Sequence, residues 1–130
     1  MGTTTFSGPV KAGTIREGAS ANAGFALMAQ SANITFAADG TTTVVARIPA
    51  NSQIFQITVD VTTAFDAGTT NTLDIGDGTT ADKYADALAL GSAARVLATS
   101  DVSQIGNLID IGTSDVAVTT TYNQSGSAAS

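Results

Sequence analysis

The stretch FQITVDVTTAFD, residues 55–66, alternates between two faces: Phe55, Ile57, Val59, Val61 and Phe65 fall at one parity, and Gln56, Thr58, Asp60, Thr62 and Asp66 at the other. Successive side chains of a β-strand point to opposite sides of the sheet, so this pattern predicts a long half-buried strand with its odd-numbered residues facing a core. Upstream, residues 43–48 place Val44, Ala46 and Ile48 on one face. Pro49 then stops the ladder because it has no N–H to donate. Downstream, Leu73 and Ile75 point inward from residues 72–76, and Val116, Val118, Thr120 and Tyr122 share a face within residues 115–122. Residues 95–99 predict a further brief strand.

The remaining segments complete an all-β pattern. Residues 25–29 and 32–37 are strand candidates ahead of Asp39-Gly40, a turn dipeptide that predicts a hairpin or meander. After Asp77-Gly78, the residues Ala81, Tyr84, Ala85 and Leu88 recur at helical spacing. They predict one short helix capped by Thr79 or Thr80. Residues 102–111 mix both periods. Short strands punctuated by turn clusters predict a β-sandwich or jelly-roll-like domain over residues 25–122. A flexible tail is expected over residues 123–130.

Residues 1–24 are rich in Gly, Thr, Ala and Ser, with isolated anchors at Phe6, Val10 and Ile15. Composition alone also describes a disordered tail. The spaced apolar residues and Pro9 favour an extended N-terminal arm that gains order along another surface. Phe6, Pro9, Val10, Lys11, Ile15 and Arg16 are the residues expected to make its contacts with that surface.

Composition bounds the chemistry. At 130 residues the chain can bury a core without disulfides, and it contains no Cys and no His. Charged residues make up 12% of it, about half the usual share, so the surface must be largely Thr, Ser, Asn, Ala and Gly. Such a surface repels its own copies weakly, and self-association is expected. The net charge of -6, with Lys11, Arg16, Arg47, Lys83 and Arg95 scattered, argues against binding a phosphate backbone. No run approaches the roughly 18 consecutive apolar residues of a membrane span. The N-terminus lacks the apolar core of an export signal, and Phe6 stands where a myristoylation pattern wants Ser or Thr.

Asp74, Asp77, Asp82 and Asp86 are the most tempting metal ligands, being hard oxygen donors close in sequence among glycines. Their spacing misses the EF-hand loop. Asp77 reads more simply as a turn residue and Asp82 as a first-turn helix acid, so no metal and no cofactor are expected. Without His or Cys the usual bases and nucleophiles are missing, and no catalytic residues are assigned. A carboxylate pair drawn from Asp60, Asp66 or Asp110 reads better as solubilising charge. Carbohydrate binding needs exposed aromatics. Phe25, Phe36, Phe55, Phe65 and Tyr122 are expected to face inward, leaving Phe6 and Tyr84.

Taken together, IPANSQIFQITVDVTTAFDAGTTNTLDIGDGTTADKYADAL, residues 48–88, and the closing VAVTTTY, residues 116–122, resemble a block found in virion structural proteins of tailed bacteriophages. The shared order is a Pro-Ala-Asn bend, a strand ending in V-x-T-A-F, a Gly and Thr loop, an L-x-I-G-D strand with a following Asp-Ala element, and a last strand. The opening FSGPVKAGTIR, residues 6–16, is similar to the openings of small phage head proteins. The resemblance covers roughly residues 47–122. It implies a non-enzymatic capsid decoration or cement protein, a homotrimer seated on the major capsid protein at the outer surface of the head and assembled in the host cytoplasm. A tail, neck or head-fibre component is the alternative within structural proteins, and a carbohydrate-binding or adhesin sandwich the alternative outside them.

Overall fold

The computed structural model describes residues 27–98, 104–109 and 111–129, together with the backbone of two strands at 14–17 and 20–23. The chain divides into two compact units, Met1–Gln30 and Ser31–Ser130. In the first, β1 (Thr14–Glu17) pairs antiparallel with β2 (Ser20–Ala23), Thr14 opposite Ala23 and Glu17 opposite Ser20. The sequence pattern of this region was too irregular to predict a strand.

The second unit is built on a four-stranded antiparallel sheet. Its order is β3 (Thr42–Ile48), β8 (Val116–Ser125), β5 (Thr70–Gly76) and β6 (Ala85–Ala89). β8 is the long central strand and bonds to both β3 and β5. A second antiparallel pair joins β4 (Thr58–Val61) to β7 (Ala94–Leu97), with Thr58 opposite Leu97 and Val61 opposite Ala94. Val61 of this pair belongs to the same buried cluster as Leu73 and Ile75 of β5 and Val118 and Tyr122 of β8. The fold is therefore all-β, two antiparallel sheets sharing one core. A 3-10 turn at Phe36–Ala38 and the four-residue helix α1 (Gly106–Ile109) complete it.

The alternating segments hold where both neighbours are strands. Leu73 and Ile75 are each only 2% exposed, and Val118 and Tyr122 are buried on the same side of β8. Burying side chains of this size contributes about 1.5–3 kcal/mol each. The ring of Tyr122 meets that of Phe65 at 4.8 Å between centroids, tilted by 57°, a favourable aromatic arrangement.

Several expectations are corrected. The strand predicted over residues 55–66 survives only as β4: the chain bends at 62–63, and Phe65 instead bonds its N–H to the carbonyl of Leu90. Ile57, Val59 and Val61 keep the inward face, but Phe55 lies beyond the ladder and is 78% exposed. Within β3 an extra residue shifts the register between Val44 and Ala46, so Val45 packs against the core in place of the expected Val44.

The helix expected around Ala81 to Leu88 is absent. A Cβ on Gly76 would overlap the carbonyl oxygen of Thr80, so the chain folds back tightly there. Tyr84 then donates its N–H to the carbonyl of Ile75, starting the β6 ladder. Cross-strand pairing overrides the helical spacing, and Asp82 stands on an exposed turn instead of a helix start. The short helix of the fold is α1, within the segment of mixed period. Asp39-Gly40 does not close a hairpin, and residues 27–35 form no strand. Asp39 makes a parallel bridge with Tyr122, and Gly40, at φ +64°, donates its N–H to the carbonyl of Tyr122. Past residue 122, β8 continues to Ser125, and Gly68 and Thr69 donate to the carbonyls of Ser127 and Ser125.

Candidate functional site

Of the six expected contact residues, Phe6, Pro9, Val10 and Lys11 lie outside the described residues. Ile15 and Arg16 stand in the middle of β1, opposite Asn22 and Ala21.

The acidic segment is organised by hydrogen bonds of the fold. One oxygen of Asp77 accepts from the backbone N–H groups of Thr79 and Thr80 at 2.9 and 2.8 Å, and the other accepts from the ammonium of Lys83 at 2.7 Å. Those donors favour the charged form. The Lys83 bond first, then the backbone bonds, hold the Asp77 carboxyl down to about 2 from its ordinary 3.8. The Lys83 ammonium is raised in turn by the same contact. Gly78, at φ +83°, donates its N–H to the hydroxyl of Thr119 at 3.0 Å, fastening the turn to β8. Asp74 accepts from the backbone of Ala87 and the side chain of Asn123, both at 2.8 Å. Asp82 and Asp86 are exposed. Among the described residues no three His, Cys, Asp or Glu side chains are grouped to hold a metal ion.

The two tyrosines invert the expectation for one of them. Tyr84, expected at the surface, is 1% exposed, and its buried hydroxyl has no hydrogen-bond partner among the described residues. Burial raises its pKa. The ammonium of Lys83 lies 5.9 Å from the centre of its ring. Tyr122, equally buried, has its hydroxyl satisfied by Asn71.

The fold leaves large apolar side chains in water. Phe55 is 78% exposed, Ile109 64%, Leu97 43% and Ile105 39%. The segments that carry them adjoin through backbone hydrogen bonds, Ile54 N–H to the carbonyl of Leu108 at 2.8 Å and Ala98 N–H to that of Ile57 at 3.0 Å. These residues were missed for two reasons. Phe55 shares the parity of the buried residues after it, and Ile105 and Ile109 sit in the segment with no single period. Their spacing of four, with Leu108 buried between them, is the signal of a single helical turn with one face inward.

No protein family, curated protein or solved structure matches this chain. The charged groups of the acidic turn close a loop, and the exposed apolar residues offer contact area without a reactive group beside them. Unpartnered apolar surface of this kind marks binding surfaces on soluble domains.

Proposed function

We propose that the chain is a non-enzymatic virion structural protein of a tailed bacteriophage, a capsid decoration or cement subunit that stabilises the head by packing against its own copies and the major capsid protein. The observation that carries this reading is the exposure of Phe55, Leu97, Ile105 and Ile109 on adjoining segments of a chain with only 12% charged residues. Such a surface gains free energy by being covered and meets little electrostatic resistance on the way. The resemblance of residues 47–122 to virion proteins supplies the setting, the outer face of the head, and the homotrimer.

Cementing works through many modest contacts held at high effective concentration, so it needs no deep pocket and no catalytic group. The test is co-sedimentation of the purified protein with undecorated heads. Saturable binding with a fixed number of copies per head is expected. Failure to bind heads, together with binding to a glycan array, would transfer the chain to the carbohydrate-binding class.

A further inference from the structure

We propose that residues 27–33 are a donor strand, which pairs with the open edge of β4 in a second copy of this chain. The inference deepens the packing role proposed above and rests on it.

The donor is strand material that the fold leaves without a ladder. Residues 25–29 and 32–37 read as strands in the sequence, yet residues 27–35 form neither strand, helix nor turn. Among the described residues, no backbone hydrogen bond joins 27–29 or 31–33 to another segment. Leu27 and Met28 are largely exposed, whereas Ile34 packs against the core and anchors the end of the stretch. An extended segment in this condition gains both backbone bonds and apolar cover by lying along a sheet edge.

The acceptor follows from the ladder of β4 and β7. Ala98 donates its N–H to the carbonyl of Ile57 at 3.0 Å, and bonded pairs alternate along an antiparallel ladder. Val59 therefore bonds to Val96 and Val61 to Ala94, while the N–H and C=O groups of Thr58 and Asp60 point away from β7. Among the described residues no strand pairs with that outer edge. Both outer strands of the four-stranded sheet have shifted registers, whereas β4 and β7 pair without a break. β7 is bounded by the bend at 91–93, but residues 55–57 ahead of β4 form no turn and leave room for a longer partner. An unbroken edge with unpaired backbone groups is a ready template for another strand.

Two features select a copy of the same chain as the acceptor. No charged residue stands between Glu17 and Asp39, so the donor itself escapes the repulsion that a net charge of -6 sets between whole copies. A basic partner would find nothing in this stretch to attract it. Donor and acceptor are also different parts of one molecule, so each copy can give a strand and receive one. Such a head-to-tail contact closes into a ring, as the proposed homotrimer requires. Pairing with the major capsid protein instead would leave the β4 edge open in every copy.

Light scattering across a concentration series tests the donor. The wild-type mass should rise reversibly with concentration. Ala29→Pro and Ala32→Pro each remove an N–H from the donor, and each should raise the concentration of half-association by about tenfold or more, while Ala29→Ser should not. Circular dichroism should show the β-domain intact in both proline variants. The chain has no Cys, so introduced pairs test the acceptor independently. Ala29→Cys or Ala32→Cys, on opposite sides of a strand, should form a disulfide with a Thr58→Cys chain faster than with a Thr42→Cys chain, whose cysteine lies on β3. Unchanged association in the folded proline variants, or cross-linking to Thr58→Cys no faster than to Thr42→Cys, would overturn the proposal. A wild type that binds heads but stays monomeric would overturn strand exchange while leaving the cementing role in place.

Discussion

The hydroxyl of Tyr122 donates to the side-chain oxygen of Asn71 at 2.8 Å, and the same oxygen accepts the N–H of Ala67 at 3.1 Å. The centre of β8 is thereby tied to the loop that leads into β5. Removing the hydroxyl leaves Asn71 short of a donor in a part-buried site. Tyr122→Phe should cost about 1 kcal/mol, read as a lower denaturant midpoint with an unchanged slope.

Tyr84→Phe should move the other way. Its hydroxyl is buried without a partner among the described residues, so deletion removes a desolvated polar group while keeping the packed ring. Stability should stay level or rise by up to about 2 kcal/mol. A loss as large as that of Tyr122→Phe would show that the Tyr84 hydroxyl is satisfied after all.

Asp77 gives the turn at 77–80 an acid limit. Its pKa in the folded chain, about 2, lies below its ordinary 3.8. The stabilisation is therefore fully present above about pH 4 and is lost as pH falls toward 2, amounting to at most about 2 kcal/mol. Asp77→Asn should lower stability at neutral pH and flatten the stability profile between pH 4 and 2, measured by urea unfolding at a series of pH values.

Gly76→Ala should destabilise strongly, by about 3 kcal/mol. The new Cβ overlaps the carbonyls of Thr80 and Ala81, both backbone atoms that cannot rotate away. Thermal unfolding of this variant beside Gly91→Ala, where a Cβ meets nothing within 4 Å, separates steric overlap from a general glycine effect.

Removal of residues 1–30 should leave the remaining unit folded, because Ser31–Ser130 holds the whole buried cluster. Circular dichroism should keep its β signal, and binding to heads should weaken if the arm contacts are made by the deleted segment. Full binding by the truncated protein would reassign the contact to the β-domain alone.

The sequence was legible where local pattern and tertiary pairing agree. Leu73, Ile75, Val118 and Tyr122 alternate, and each lies in a strand with hydrogen-bonded neighbours on both sides. It was misleading where pairing ends or changes phase. Phe55 continues an alternation whose ladder starts only at Thr58, and the extra residue at Val45 shifts the phase of β3 ahead of Ala46, so Val45 replaces Val44 at the core while Ala46 and Ile48 keep the predicted face. Tyr84, Ala85 and Leu88 fit a helix by spacing, yet contact between Gly76 and the 80–81 backbone is a long-range constraint that no local period reports. The exposed apolar residues were hidden for the same reason: an inward parity says which side a residue shares, not whether anything covers that side.

Both outer strands of the four-stranded sheet are interrupted. β3 carries an extra residue at Val45, and β6 carries one between Ala85 and Leu88, where Ala87 sits at φ +49° with its N–H turned to Asp74. Bulged edges are poor templates for another strand. Copies crowded side by side would therefore find no regular template along this sheet, a safeguard that matters in a chain with so little charge to keep its neighbours apart.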